Sequence, residues 1–173
     1  MIIMIKKIYD KIYKVISHPN QYAKKVGVKL GNNIQLNTKS FGSEPYLITL
    51  GDDLYTSANV TFITHDGSVN VLRNLYEECD DVDLIKPIKV GNNVFLGFGV
   101  VILPGATIGD NVIVGANSLV KGTLKENCVY AGNPIREICS IKDFYNKRKC
   151  DFLHTKKLSK EDKKQYLERE FNG

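Results

Sequence analysis

From Val90 to Lys125 the chain repeats a six-residue pattern. Val90, Leu96, Ile102, Ile108, Val114 and Val120 are aliphatic at every sixth place, and Val94, Val100, Ala106, Val112, Ser118 and Leu124 follow four places after each. The hexads read VGNNVF, LGFGVV, ILPGAT, IGDNVI, VGANSL and VKGTLK. A period of six matches neither the 3.6 of an α-helix nor the alternation of a long strand. It fits a coil with three short flat faces, each one hexad long, so that roughly 18 residues complete a turn. The residue opening each hexad points into a narrow prism, and the small or medium residue at the fifth place sits near a corner. Gly, Asn and Asp fill the second to fourth places (Gly91-Asn92-Asn93, Gly109-Asp110-Asn111), where the chain bends and positive φ is tolerated. Stacked coils pair their backbones as parallel strands.

The pattern is present earlier with phase shifts, as LGNNIQ (30–35), LGDDLY (50–55) and TSANVT (56–61), and LIKPIK (84–89) rejoins the main phase. Two segments break the rhythm, 37–47 and 66–83. An excursion from an otherwise regular solenoid wall is a candidate functional or interface loop. Arg73, on the longer excursion, is a candidate substrate contact.

The ends of the chain follow another period. Ile5, Ile8, Ile12, Val15 and Ile16 recur at helical spacing among lysines, which predicts an amphipathic helix over 3–17 that caps the first coil. The same helix could instead lie on a membrane surface. After Gly132-Asn133-Pro134 the hexads stop, and Ile138, Ile141, Phe144 and Tyr145 predict a helix on the last coil. Ser159, with Asp162 three places on, is the expected N-cap of a short charged helix ending near Phe171. The expected organisation is a helical cap over 1–23, a mainly β solenoid domain over 24–135 and a helical tail over 136–173. Helical caps keep stacked coils from joining edge to edge.

Composition narrows the functions. Twenty-four Lys and Arg against nineteen Asp and Glu leave +5, concentrated near the two ends. These basic runs are either solvated helix faces or attractors of an anionic partner. No nucleic-acid-binding motif accompanies them. The four cysteines (Cys79, Cys128, Cys139, Cys150) form no CxxC pair and have no histidine cluster nearby, so neither a metal site nor a disulfide framework is expected. The apolar opening is interrupted at Lys6 and Lys7, too short for a membrane span and without a cleavage site. A cytoplasmic protein with free thiols is expected.

Among three histidines, His18 precedes Pro19 as a surface or capping residue, and His154 lies in a basic stretch. His65 sits in Thr64-His65-Asp66-Gly67, where the coil gives way to the excursion, and should stand at a wall edge facing a groove. A hydroxyl is a poor nucleophile unless its proton is removed, and a histidine with a reference pKa of about 6.5 is the best-matched base at neutral pH.

The hexads, the FITHDG segment (62–67), FGSEPYLI (41–48) and the closing VYAGNPIREI (129–138) resemble the hexapeptide-repeat acyltransferases, and among them sugar and capsular-polysaccharide O-acetyltransferases. The resemblance covers about residues 24–140. It implies a left-handed parallel β-helix, although the general rule for parallel crossovers favours the right hand. It also implies a homotrimer with active sites between neighbouring prisms, and acetyl-CoA as co-substrate with no metal required. His65 matches the family's catalytic base, and transfer is then direct, without an acyl-enzyme on Cys79. Glu44, in the family segment, would orient the base or hold the acceptor. Asn59 is a further candidate of the same sort. Asp66, which as the neighbour of His65 on an extended chain should point away from it, is a loop or substrate contact. Pantetheine would lie past the small residues Gly97, Gly115 and Ala116, with Lys121 and Arg136 near the CoA phosphates. Phe95 stands where the family often has Trp, which alters the surface on which an acceptor would stack.

The expected function is therefore acetyl transfer from acetyl-CoA to a hydroxyl of a sugar or glycan precursor. The rival within the fold acetylates an antibiotic or an amino-sugar amine. A silent scaffold would need no His65 motif. A γ-type carbonic anhydrase would need three histidines at a zinc, and two of the three lie outside the repeats.

Overall fold

The computed structural model describes residues 2–172. Met1 and the side chains of residues 2–7, including Ile5 of the expected apolar stripe, lie outside the described residues. The chain divides into two compact units, one up to Lys142 and one from Asp143 onward.

The first unit opens with α1 (Ile2–Ile16) and α2 (Pro19–Val26). His18 caps α2: its Nδ1 accepts the Asn20 N–H at 3.3 Å, while the Gln21 side chain accepts the His18 N–H at 3.4 Å. Pro19 supplies the fixed φ favoured at a first helical position. Ala23 of α2 is fully buried in the core, whereas Ile8, Ile12, Val15 and Ile16, the described part of the stripe expected to cap the first coil through α1, are all more than half exposed.

Coils follow. β1 (Lys29–Leu30) belongs to the first, and β2 (Ile48–Leu50), β3 (Tyr55–Thr56) and β4 (Thr61–Phe62) form the second. The excursion holds β5 (His65–Asp66), α3 (Val69–Arg73) and β6 (Leu84–Ile85). β7 (Ile88–Val90), β8 (Val94–Leu96) and β9 (Val101–Ile102) make the third coil. β10 (Thr107–Ile108), β11 (Val112–Val114) and β12 (Leu119–Val120) make the fourth. β13 (Thr123–Leu124) and β14 (Cys128–Ala131) begin a fifth, and β15 (Arg136–Ser140) turns back antiparallel on β14. Three parallel ladders result, β1-β2-β7-β10-β13, β3-β8-β11-β14 and β4-β9-β12, wrapped as a left-handed β-helix.

The hexad reading holds in the main block. Lys89 pairs with Thr107, Phe95 with Ile113 and Val101 with Leu119, each eighteen positions apart. All twelve inward positions read from the repeat are at most 4% exposed. One corner is built at the fourth hexad place, where Asn33, Asp53, Asn93, Asn111 and Asn127 all have φ between 51° and 60°. Their side chains bond coil to coil: Asn93 donates to Asn111 at 2.8 Å and Asn111 to Asn127 at 2.9 Å. Asparagine tolerates this backbone and satisfies its neighbour's amide.

Four expectations are corrected. The rhythm slips after Val120: Ile108 pairs with Leu124, sixteen positions on, so Leu124 opens a side instead of filling a fifth place. Residues 37–41 of segment 37–47 belong to the coil, since Ser40 bridges Thr61, Thr38 and Phe41 are buried, and Phe41 stacks on Phe62 at 5.7 Å. The wall is left only after Phe41. Leu84 does not rejoin the core; β6 pairs outward with β5, Leu84 and Ile85 stay exposed, and the phase resumes at Ile88. Residues 136–140 are a strand, with Ile138 exposed, because the last ladder offers an open edge to pair.

Helix α4 (Ile141–Arg148) spans the unit boundary, and the second unit ends in α5 (Lys160–Asn172). Ser159 caps α5, accepting the Asp162 N–H at 3.1 Å. Among the described residues, no helix is long and apolar enough to cross a membrane.

Candidate active site

His65 leaves the third face just after the buried Phe62. The Ile63 N–H donates to Ile102 O at 2.8 Å, and the Lys86 N–H donates to Thr64 O at 3.0 Å. His65 then pairs with Ile85 and Asp66 with Leu84, so a short antiparallel clasp closes the base of the excursion. This fixes the imidazole on a rigid wall edge, with 31% of its side chain exposed.

Glu44 reaches the same place from the coil below. Its Oε1 lies 3.4 Å from His65 Nδ1, and its Oε2 accepts the Thr64 hydroxyl at 2.8 Å. Thr64 Oγ in turn accepts the Glu44 N–H at 3.3 Å. The Glu44 side chain is only 13% exposed, so its carboxylate is held by two partners in a mostly dry setting. Gly42 permits the approach: its φ is +66°, and a Cβ there would stand 2.8 Å from Thr64 Oγ and 3.1 Å from Phe62 O. Thr64 is the positioning residue that sequence reasoning missed. Its signal was a polar side chain two places after Phe62, in the inward phase of the strand.

On the far side of the ring, His65 Nε2 lies 3.9 Å from Asp83 Oδ1. Arg73 secures that carboxylate, with Nη2 donating to Asp83 Oδ1 and to Val82 O, both at 2.5 Å, and Nη1 donating to Asn70 Oδ1 at 2.7 Å. Arg73, expected to touch substrate, thus spends its donors on the loop. Asp66 does likewise: its Oδ1 accepts the Ser68 N–H at 2.9 Å, which holds its carboxyl below the usual value.

The remaining site residues lie elsewhere. Asn59 occupies an exposed turn at φ 60° and lines a cavity of 590 Å³ with Lys14, Asn37, Lys39 and Thr61. Phe95 sits on a different face from His65 and stacks on Tyr55 at 5.6 Å, with 11° between ring planes. Gly97 and Gly115 have a packing explanation. A Cβ on Gly97 would lie 2.6 Å from Ala116 N, and one on Gly115 would lie 3.0 Å from Ala131 Cβ. Ala116 and Lys121 are exposed at coil corners and Arg136 is exposed on β15, two or more coils beyond the one that carries His65. Among the described residues, no three His, Cys, Asp or Glu side chains gather so as to hold a metal ion.

Comparison with known proteins gives consistent matches. Residues 87–122 match the family described as bacterial transferase hexapeptide (six repeats). Protein CapG of Staphylococcus aureus is 39% identical over 170 residues, which cover 96% of each chain. The galactoside O-acetyltransferase of Escherichia coli (strain K12) is 38% identical over 117 residues, 67% of this chain. The chain spans about half of that relative's length, 55% being covered. A solved galactoside acetyltransferase in complex with coenzyme A superposes with a TM-score of 0.63 at 28% identity, covering 82% of both chains.

Proposed function

The chain belongs to the hexapeptide-repeat acetyltransferase family, and on that premise we propose that it moves an acetyl group from acetyl-CoA to a hydroxyl of a sugar or glycan precursor, with His65 as general base. The observation that carries this reading is the pairing of His65 Nδ1 with Glu44 at 3.4 Å. A carboxylate on Nδ1 favours the tautomer with its proton there, which makes Nε2 the basic nitrogen. The contact is long for a hydrogen bond, as catalytic contacts often are before substrate tightens them.

In the transfer, the acceptor hydroxyl gives its proton to Nε2 as its oxygen bonds to the thioester carbonyl carbon. The tetrahedral intermediate collapses, the C–S bond breaks, and the CoA thiolate takes the proton back from the imidazolium. Glu44 stabilises the imidazolium while it exists. No acyl-enzyme intervenes.

For the donor, Lys121 and Arg136 are exposed cations suited to the CoA phosphates, and pantetheine would pass the exposed Ala116. Gly97 is buried, and the N–H groups of Gly97 and Gly115 are taken by Val114 O and Tyr130 O, so these two glycines leave room and supply no donor. A homotrimer, as the family resemblance implies, would bring Phe95 of one protomer and His65 of the next, which lie on different faces of one prism, to the same groove. Asn59 and Phe95 then bear on the acceptor from the groove walls, whereas Asp66 is committed to Ser68 in the loop. Acetyl-CoA is an intracellular metabolite, and the four free cysteines suit the same reducing compartment, so the protein works in the cytoplasm.

The test is thiol release from acetyl-CoA against a panel of sugars, nucleotide sugars and amino sugars. Replacing His65→Ala is expected to lower the acceptor-dependent rate at least ~100-fold, with the oligomer retained by light scattering. Near-normal turnover in the variant would sink the mechanism.

A further inference from the structure

We propose that Asp83, locked by Arg73, is the specificity-determining residue of the acceptor site, and that it binds a hydroxyl vicinal to the one acylated. The inference rests on the acetyl-transfer reading of His65.

With Nδ1 taken by Glu44, the reacting face of the ring is the Nε2 side, and Asp83 Oδ1 lies 3.9 Å from Nε2. That separation is too long for a direct hydrogen bond. It leaves two part-exposed acceptors side by side, the basic nitrogen and a carboxylate oxygen. An isolated alcohol carries one proton and can satisfy only one of them. A ligand that fits must bring two donors. Oxygens on adjacent gauche carbons are separated by about one hydrogen-bond length, ~3 Å. One can therefore donate to Nε2 while its neighbour donates to Oδ1. The carboxylate is about half exposed and needs no rearrangement to receive it, because Arg73 already anchors it to the loop backbone at Val82 O.

An amine also has two protons to offer, but around the ring Glu44 and Asp83 set two negative charges against the one positive charge of Arg73, and that balance argues against it. A carboxylate beside an amine favours the ammonium form, which has no lone pair with which to attack. The same charge repels acidic sugars at this position. The pair of acceptors thus selects a neutral diol, and the excursion reads the acceptor by presenting one carboxylate edge beside the base.

The test uses the full-length protein with methyl β-galactopyranoside and methyl α-glucopyranoside, their monodeoxy analogues and their 2-amino-2-deoxy analogues. Initial rates of thiol release give kcat/KM, and calorimetry with the same probes gives binding independently of turnover. Wild type is expected to favour a diol over the analogue lacking the neighbouring hydroxyl by about 10- to 100-fold, the range for a hydrogen bond to a charged group. Asp83→Ala should bring this ratio near one, and Asp83→Asn should leave it intermediate. The Asn variant keeps the question open to refutation if Ala fails to fold. A ratio unchanged in the variants overturns the proposal, as does wild type that binds and acylates diol and deoxy sugar alike, or that prefers the amine. Binding that discriminates in wild type and not in Asp83→Ala, without thiol release from any acceptor, would uphold the diol site and overturn acetyl transfer.

Discussion

Replacing Glu44→Gln isolates what the carboxylate charge contributes to the base. The amide keeps the shape, so one end can still face His65 Nδ1 at the 3.4 Å position while the other meets the Thr64 hydroxyl, now 2.8 Å from the carboxylate. The charge is lost, and with it one acceptor: an amide that keeps its oxygen on His65 Nδ1 donates from its own Nε2 to Thr64 Oγ, where the carboxylate accepted. Two unit charges 3.4 Å apart at an effective dielectric near 20 attract by at most ~5 kcal/mol. The amide dipole recovers part of this, and solvent reaches the imidazole, which is 31% exposed. The range for a hydrogen bond to a charged group, about 1.5–3 kcal/mol, is the better guide. At about 1.4 kcal/mol per decade this corresponds to a fall of about 10- to 100-fold in kcat. The imidazolium forms only as the proton moves, so KM for the acceptor should change by less than about twofold. The assay is thiol release at saturating acetyl-CoA with the acceptor varied. A loss confined to KM, or a kcat within about threefold of wild type, would refute the role given to Glu44.

Two further predictions concern the frame. Gly97→Ala places a methyl 2.6 Å from Ala116 N in the next coil, a backbone clash expected to cost about 1–3 kcal/mol. It should lower Tm by about 2–12 °C, read by circular dichroism; an unchanged Tm would show that the coils yield there. Asp66 titrates below its usual value because it accepts the Ser68 N–H. Its charge therefore contributes stability that is present above an unfolded-state pKa of about 3.9 and is lost as pH falls through the lower folded value. Asp66→Asn should lower Tm at pH 7, and the gap should shrink as pH drops below about 4; a gap of constant size would refute the assignment.

The solenoid was legible because its core is a list of positions. Val90 to Val120 repeat at a fixed interval, and each inward side chain meets the equivalent one of the next coil. The slip at Leu124 was not legible, because an aliphatic residue suits the opening place and the fifth place alike. Leu84 and Ile85 read as core since hydropathy does not distinguish a strand that enters the prism from one that pairs on an outward clasp. Arg136–Ser140 alternates too weakly to reveal a strand, and the open edge of β14 decides its conformation. His65 could be found from its place at the end of a wall. Glu44 came with the resemblance, because nothing in its spacing marks it as a partner twenty-one residues away. Asp83 belongs to an acidic run from Glu77 onward, and only the fold of the excursion decides which carboxylate of that run faces the ring.

The excursion also bears on how such proteins diversify. Thr49 and its ladder partner Lys89 are forty positions apart, whereas Lys89 and Thr107 are eighteen apart. Closing the longer connection costs only about 0.7 kcal/mol more in chain entropy by the logarithmic scaling of loop length. That is about the worth of one buried methylene. A lineage can therefore lengthen or shorten this loop beyond the β5–β6 clasp at little cost in chain entropy, while the stacked coils and the His65–Glu44 pair stay in place. Selection on the acceptor is thereby separated from selection on the scaffold, and new substrates become accessible through insertions and deletions at a single point in the chain.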